Sequence, residues 1–336
     1  ANGEMPERLN ELKLYQKDLN GLLEDYLVTG GIPRAINSYI SRGTIPEIVY
    51  SDYVNLILRD IVRWGGNEIF LRQIVQRIVQ TLSSQVSWNA LKDETEISTH
   101  DTARWYGDIL RNSFVVSYLH QLNKDKGVPY YRKAKKIYFS DPFIFHSLKW
   151  WSLGGKQPFD ETFEFLKDTE EKSKLIESVV CNHLIRLLFN MEPSAQFDYT
   201  TRLFYWESGK KREVDFVTKL ADDFLPIELK YQPKVQRSDV FGIIDFGRLI
   251  QASLIVTNVS REGGSMASRG FKSGDELLSL LQSSGTPLDL NGLGKIYVSR
   301  ITPGTSATAA KPSIDQQLST GNLGISSNIG SGLPRL

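Results

Sequence analysis

The stretch from residue 175 to residue 257 constrains the fold most. Leu175, Ile176, Val179, Val180, His183, Leu184, Leu187 and Leu188 recur at helical spacing along a strongly apolar face. Three β-rich segments follow at 202–207, 212–218 and 224–231, then a helix over 238–250 and an apolar run at 253–257. The predicted order is αβββαβ, a hairpin sheet extended through a helical crossover. Period-two alternation puts Ile227, Leu229 and Tyr231 on one face of their strand and Glu228 and Lys230 on the other. If this strand pairs with 212–217 around Leu220 to Asp223, Asp215 comes within about 5 Å of it on the neighbouring strand, and the two carboxylates can share a hard cation.

Asp215 and Glu228 are therefore candidate Mg²⁺ ligands. Mg²⁺ takes few protein carboxylates and keeps its waters for substrate phosphate. Lys230 beside it would orient or deprotonate the attacking water, so Asp215, Glu228 and Lys230 form a candidate catalytic set for phosphodiester hydrolysis. Glu177 shares a helical face with Cys181, Leu184 and Leu188, where an unpaired carboxylate would be costly, so a metal or a basic partner is expected for it. The alternatives stay open: Glu177 in a solvated first helical turn, and Glu228 and Lys230 on an ordinary wet strand face.

Upstream, residues 8–63 read as helices broken at Gly30-Gly31-Ile32-Pro33. Three helices follow, marked by Ile69, Ile74, Ile78 and Leu82, by Trp88 to Leu91 after Ser87, and by Ala103, Tyr106, Ile109 and Leu110 after a cap at Ser98 or Thr99. Strands at 115–122 and 130–139 then flank a turn at 123–127, and three helices before a two-stranded wing make a winged helix-turn-helix. The wing concentrates Lys124, Lys126, Arg132, Lys133, Lys135 and Lys136 around Tyr130 and Tyr131, and the preceding helix adds Arg104 beside His100 and Arg111. DNA phosphates are the natural partner of such a patch, with weak sequence preference because Asp101 and Asp108 dilute the helix. Against this stands a protein contact, or a hairpin tip kept basic for solubility.

With 40 Lys and Arg against 39 Asp and Glu, the chain is neither wholly basic nor acidic, so any nucleic-acid footprint must be local. Cys181 is the sole cysteine, which excludes an intramolecular disulfide framework and fits a reducing cytoplasm. No run reaches a membrane span and the first residues do not read as a signal peptide, so no membrane partner is expected. There is no phosphate-binding Gly-x-x-x-x-Gly-Lys-Ser/Thr loop, since Gln157 follows Gly154-Gly155-Lys156, and no Gly-x-Ser-x-Gly elbow. ATP hydrolysis by this chain alone is not expected. Beyond Ser260 the composition turns to Gly, Ser, Thr and Pro, with one helix at 275–281 and no aromatic residue after Tyr297, so 261–336 is expected to be mostly disordered.

These residues carry a resemblance. Residues 159–258 resemble the PD-(D/E)xK, or restriction-endonuclease-like, fold, with Asp215, Glu228 and Lys230 matching its signature and Glu177 its upstream helical acid. The longer series of Asp25-Tyr26-Leu27, Gly30-Gly31-Ile32-Pro33, Arg59-Asp60, Lys136-Ile137-Tyr138-Phe139-Ser140-Asp141, Tyr205-Trp206, Glu213-Val214-Asp215-Phe216 and Ile227-Glu228-Leu229-Lys230 is similar to the C-terminal part of prokaryotic AAA+ ATPases common in archaea. The resemblance implies an α+β multidomain chain: a helical lid-like segment (1–63), a winged helix (64–150), a nuclease-like domain (151–260) and the tail (261–336). It further implies a fragment or one half of a split protein, with ATP bound only through an ATPase domain in the same or a separate chain. Two functions follow as expectations: DNA binding with Mg²⁺-dependent cleavage, or a non-catalytic interaction platform built on a degenerate nuclease fold.

Overall fold

The computed structural model describes residues 11–320 except 13, 195, 210, 221–222, 233–235, 269–277, 280, 284–295 and 303–312. The chain divides into two compact units, residues 1–243 and 244–336. The first is an α+β unit. It begins with α1 (Gln16–Thr29), α2 (Pro33–Arg42) and α3 (Glu47–Arg63), followed by α4 (Glu68–Gln80), α5 (Trp88–Lys92) and α6 (His100–Asn112). Asn67, Ser87 and Thr99 cap α4, α5 and α6, each side chain accepting a backbone N–H of the first turn. Then come β1 (Val116–Asn123), β2 (Val128–Pro129), β3 (Lys135–Phe139), α7 (Pro142–Leu153), α8 (Pro158–Lys167) and α9 (Thr169–Met191), and finally β4 (Leu203–Glu207), β5 (Glu213–Leu220) and β6 (Asp223–Ile227).

All six strands of this unit lie in one mixed sheet of order β2-β1-β4-β5-β6, with β3 also on β1. β3 is antiparallel to β1, whereas β4 runs parallel to β1 through His120 opposite Phe204 and Gln121 opposite Tyr205. The basic hairpin and the acid-bearing strands, read from sequence as parts of two domains, thus share a sheet. The parallel pair joins segments about eighty residues apart, which no local periodicity reveals.

Helices cover the β1–β3 part of the sheet on both faces, so every residue of β3 is buried. On one face Val116, Tyr118, Ile137 and Phe139 join a core with Leu71, Ile74 and Ile78 of α4 and Tyr106 and Leu110 of α6. On the other, Leu119, Tyr138, Tyr205 and Phe216 pack against Cys181 and Leu188 of α9. Alternation along β3 therefore sends neighbouring lysines in opposite directions, Lys135 toward the α5 and α6 side and Lys136 toward α9.

Near residue 250 the structure departs from the expected crossover. The run at 253–257 continues a helix, α10 (Phe241–Ser268), instead of forming a strand. A five-residue apolar run is compatible with either state, and here the preceding helix propagates through it. In the second unit β7 (Ile296–Thr302) and β8 (Ser313–Thr320) form an antiparallel pair where composition predicted disorder. The helix expected at 275–281 lies partly outside the described residues; 278, 279 and 281 are helical. Among the described residues, no helix is long and apolar enough to cross a membrane.

Candidate functional site

Two clusters of charge occupy opposite faces of the β1–β3 part of the sheet. The first is acidic and lies under α9. Lys136 enters it from β3 and is 2% exposed. Its Nζ donates to Glu177 Oε1 at 2.9 Å, ion-pairs with Glu213 and lies 3.6 Å from Asp215 Oδ1. The Tyr138 hydroxyl, on the same face of β3, donates to Glu177 Oε1 at 2.5 Å. Burial alone would lower the Lys136 pKa, but the carboxylates of Glu177, Glu213 and Asp215 outweigh it and raise the pKa, so the group stays an ammonium.

The packing of β4 on β5 aims the acids. Phe204 faces Val217 and Trp206 faces Val214, so Asp215 and Phe216 together oppose the single Tyr205. This β-bulge frees Asp215 from strict alternation and lets it share a face with Phe216, its carboxylate reaching Lys136 while the Phe216 ring packs 6.1 Å from Tyr138. Gln85 holds the outer edge, its Nε2 donating to Glu207 Oε2 at 2.6 Å and Glu213 Oε2 at 2.9 Å.

Glu228 and Lys230 lie just past the end of β6. The β5–β6 register, Phe216 opposite Ile227 and Leu220 opposite Asp223, is the pairing expected from sequence and puts Glu228 next to Asp215. Asp215 Oδ2 accepts the Leu229 N–H at 2.9 Å, and Lys230 Nζ donates to Glu228 Oε1 at 2.6 Å. Glu228 Oε2 is buried without a hydrogen-bond partner among the described residues. Burial raises the Glu228 pKa, opposed by the Lys230 hydrogen bond and reinforced by the Asp215 charge. Burial pulls the Lys230 pKa down, but the Glu228 hydrogen bond and charge outweigh it and hold it above its ordinary value. Glu177 is the ninth residue of α9, well past its first turn, and the basic partner expected for it is Lys136.

The fit of this set to a divalent cation turns on Lys136. Glu177 and Asp215 converge, but on an ammonium already in contact with both, so a metal bound by them must displace a buried lysine. Among the described residues, no three His, Cys, Asp or Glu side chains are arranged to hold a metal ion. As folded, the set is a lysine-centred carboxylate cluster flanked by the Glu228–Lys230 pair.

The second cluster is basic and lies on the α5 and α6 side. An open cavity of about 470 Å³ is lined by Arg104 and Arg111 of α6, Arg132 and Lys133 of the β2–β3 connection, Lys135 and His120, with Trp88, Tyr118 and Tyr131 among them. Asp101 and Asp108 are its acidic residues. Lys135 Nζ sits 4.1 Å over the Trp88 ring, and the Arg111 guanidinium lies 5.2 Å over that of Tyr118. Burial, with the Arg104 charge, pushes the Lys135 pKa down to about 8, and burial with the Lys135 charge pushes that of His120 to about 4. Lys135 and Lys136 thus do not belong to the outer face of the hairpin as the sequence suggested, because the helices covering both faces of β3 bury them. Lys124, Lys126, Arg132 and Lys133 remain exposed or half-exposed. Arg104 pairs with Asp108 at 3.4 Å. The sequence reading grouped the basic residues but missed the role of Gln85, Glu213 and Tyr138 at the other cluster. The signal for Tyr138 was its two-residue spacing from Lys136.

Comparison with known families gives two matches. Residues 20–155 match a domain of unknown function (DUF8612), and residues 172–268 match another (DUF4143). The second is common in C-terminal regions associated with AAA-type ATPases. No curated protein and no solved structure matches the chain.

Proposed function

We propose that this chain is a DNA-binding C-terminal module of an AAA-type ATPase system, gripping phosphates with weak sequence preference, and that it carries a restriction-endonuclease-like acid site closed by Lys136. The observation that carries the reading is the convergence of α6 and the β1–β3 hairpin on one cation-rich cavity, with exposed Lys124 and Lys126 farther along the hairpin. Three capped helices before the hairpin support a winged-helix assignment, and the paired strands bearing Asp215 and Glu228 support the nuclease-like one. An ATPase domain, covalently joined or in a separate chain, is the partner that would bind and hydrolyse ATP.

A salt titration tests it. Each duplex phosphate neutralised contributes about 0.9 to the slope of log affinity against log salt. Changing Lys124, Lys126, Arg132 and Lys133 together to Ala is expected to lower that slope by roughly two to four and weaken binding to all sequences alike. A parent without salt-dependent DNA binding, or a variant with unchanged slope, would sink the reading.

A second reading, Mg²⁺-dependent cleavage by Asp215, Glu228 and Lys230, is favoured by the adjacency of the two acids and by the unpartnered Glu228 Oε2. It requires calorimetric uptake of Mg²⁺ or Mn²⁺ by the parent chain and metal-dependent nicking that Asp215→Ala and Lys230→Ala abolish. A folded parent that takes up neither ion leaves the closed site and the platform role.

A further inference from the structure

The basic cavity holds more cationic and donor capacity than the chain itself satisfies. Five Arg and Lys side chains line it against two Asp. Lys135, 2% exposed, makes no ion pair among the described residues and is answered by the face of Trp88. Arg111 is likewise answered by a ring and, among the described residues, by no carboxylate. Two further lining groups, the Tyr118 hydroxyl and His120 Nδ1, are buried without a hydrogen-bond partner among the described residues. Two buried polar atoms left unpaired beside a lysine with no acid partner are costly, and an anion that accepts hydrogen bonds would answer all three together.

We infer that this cavity binds a phosphate monoester, the terminal phosphate of a nucleic-acid strand or that of a mononucleotide, with Arg111, Lys135, His120 and Tyr118 donating to its oxygens. The inference rests on the nucleic-acid reading above and narrows it. A monoester carries nearly two negative charges at neutral pH against one for a backbone diester, and its three terminal oxygens match several convergent donors. The depth of the donors points the same way. Lys135, His120 and Tyr118 are all 5% exposed or less, and a duplex phosphate flanked by sugars on both sides cannot descend to them, whereas a terminal phosphate protrudes. The volume lies in the range of small-ligand sites, and the exposed Tyr131 in its lining offers a stacking surface for an adjoining base.

The experiment is fluorescence anisotropy on the full chain at fixed salt, using short single strands that carry a 5′-phosphate, a 3′-phosphate or hydroxyls at both ends. One phosphorylated end is expected to bind at least about tenfold tighter than the hydroxyl strand, as charge-assisted hydrogen bonds of this number imply. Arg111→Gln should erase that preference. If Arg111→Gln fails to fold, the exposed pair Arg132→Gln and Lys133→Gln should reduce it. Adenosine monophosphate competing as well as the phosphorylated strand would assign the site to free mononucleotides, and competition only by the strand assigns it to strand ends. Equal affinity for phosphorylated and hydroxyl strands, with no effect of Arg111→Gln, overturns this inference while leaving salt-dependent DNA binding intact. Loss of all DNA binding overturns both.

Discussion

Lys136→Met is expected to lower the unfolding free energy by about 3–5 kcal/mol, the range for removing one partner from a buried ion cluster. Met keeps most of the side-chain volume, so the loss reports charge and not a cavity. Without the ammonium, Glu177, Glu213 and Asp215 face one another across a poorly solvated space under α9, where Glu177 and Asp215 are mostly buried. Burial already holds the Glu177 pKa up against the opposing pull of Lys136, and without that pull it rises further above its unfolded value, so the penalty is present at neutral pH and shrinks as pH falls and Glu177 takes up a proton. In the parent, Lys136 is raised above its ordinary value; its contribution is fully present below that unfolded value and is lost only as pH climbs through the folded one. The gap between parent and variant in urea denaturation should therefore narrow as pH falls. Mn²⁺ should stabilise the variant and not the parent, since a divalent cation can take the place the ammonium leaves, by an amount that grows with ion concentration. Equal midpoints at pH 7 would show that Lys136 does not hold the cluster together.

That expectation rests on a residue whose place the sequence suggested wrongly. Lys135 and Lys136 stand in a basic run, and counting charge put both on an exposed hairpin. Alternation alone says that two adjacent strand residues face opposite sides. What it cannot say is that both sides are covered, which follows from α4 to α6 packing on one face and α9 on the other. The hairpin of β5 and β6, by contrast, was legible because its register is set locally, over a two-residue connection. Asp215 and Glu228 could be read as neighbours for that reason. The bulge that turns Asp215 toward Lys136 could not, because it depends on β4 and leaves no mark in the composition of β5. Nor could the parallel pairing of β1 with β4, which decides that the acidic and basic clusters share one sheet. In the tail, most of which lies outside the described residues, a Gly- and Ser-rich average hid two short strands that pair with each other.

Gly30→Ala is expected to cost about 3 kcal/mol or more, a large effect for adding one methyl group at a helix end. Gly30 has φ 56° and ψ −159°, a region open essentially to glycine, and forcing alanine there costs roughly 1–3 kcal/mol. The added carbon would also overlap the Asp141 carboxylate. Asp141 cannot simply move away. Its Oδ2 accepts the Gly31 N–H at 2.7 Å, and its Oδ1 accepts the Phe143 N–H at 2.8 Å, capping α7. His146, one turn along α7, donates from Nε2 to the Leu27 carbonyl at 3.0 Å, so the end of α1 is held to α7 at two points. The Gly30-Gly31-Ile32-Pro33 break and the Lys136-to-Asp141 segment, two motifs about 110 residues apart, are thus halves of one clamp. This gives the glycines a structural reason that needs no nucleotide. The coupling is measurable. With Asp141→Ala the overlap disappears, so in that background Gly30→Ala should cost only its conformational part, and the double-mutant cycle should show a coupling of about 1–2 kcal/mol. A single-mutant cost below about 1 kcal/mol, or the same cost in both backgrounds, would mean that the clamp does not hold this corner, and would return the glycines to the lid role that the sequence resemblance implied.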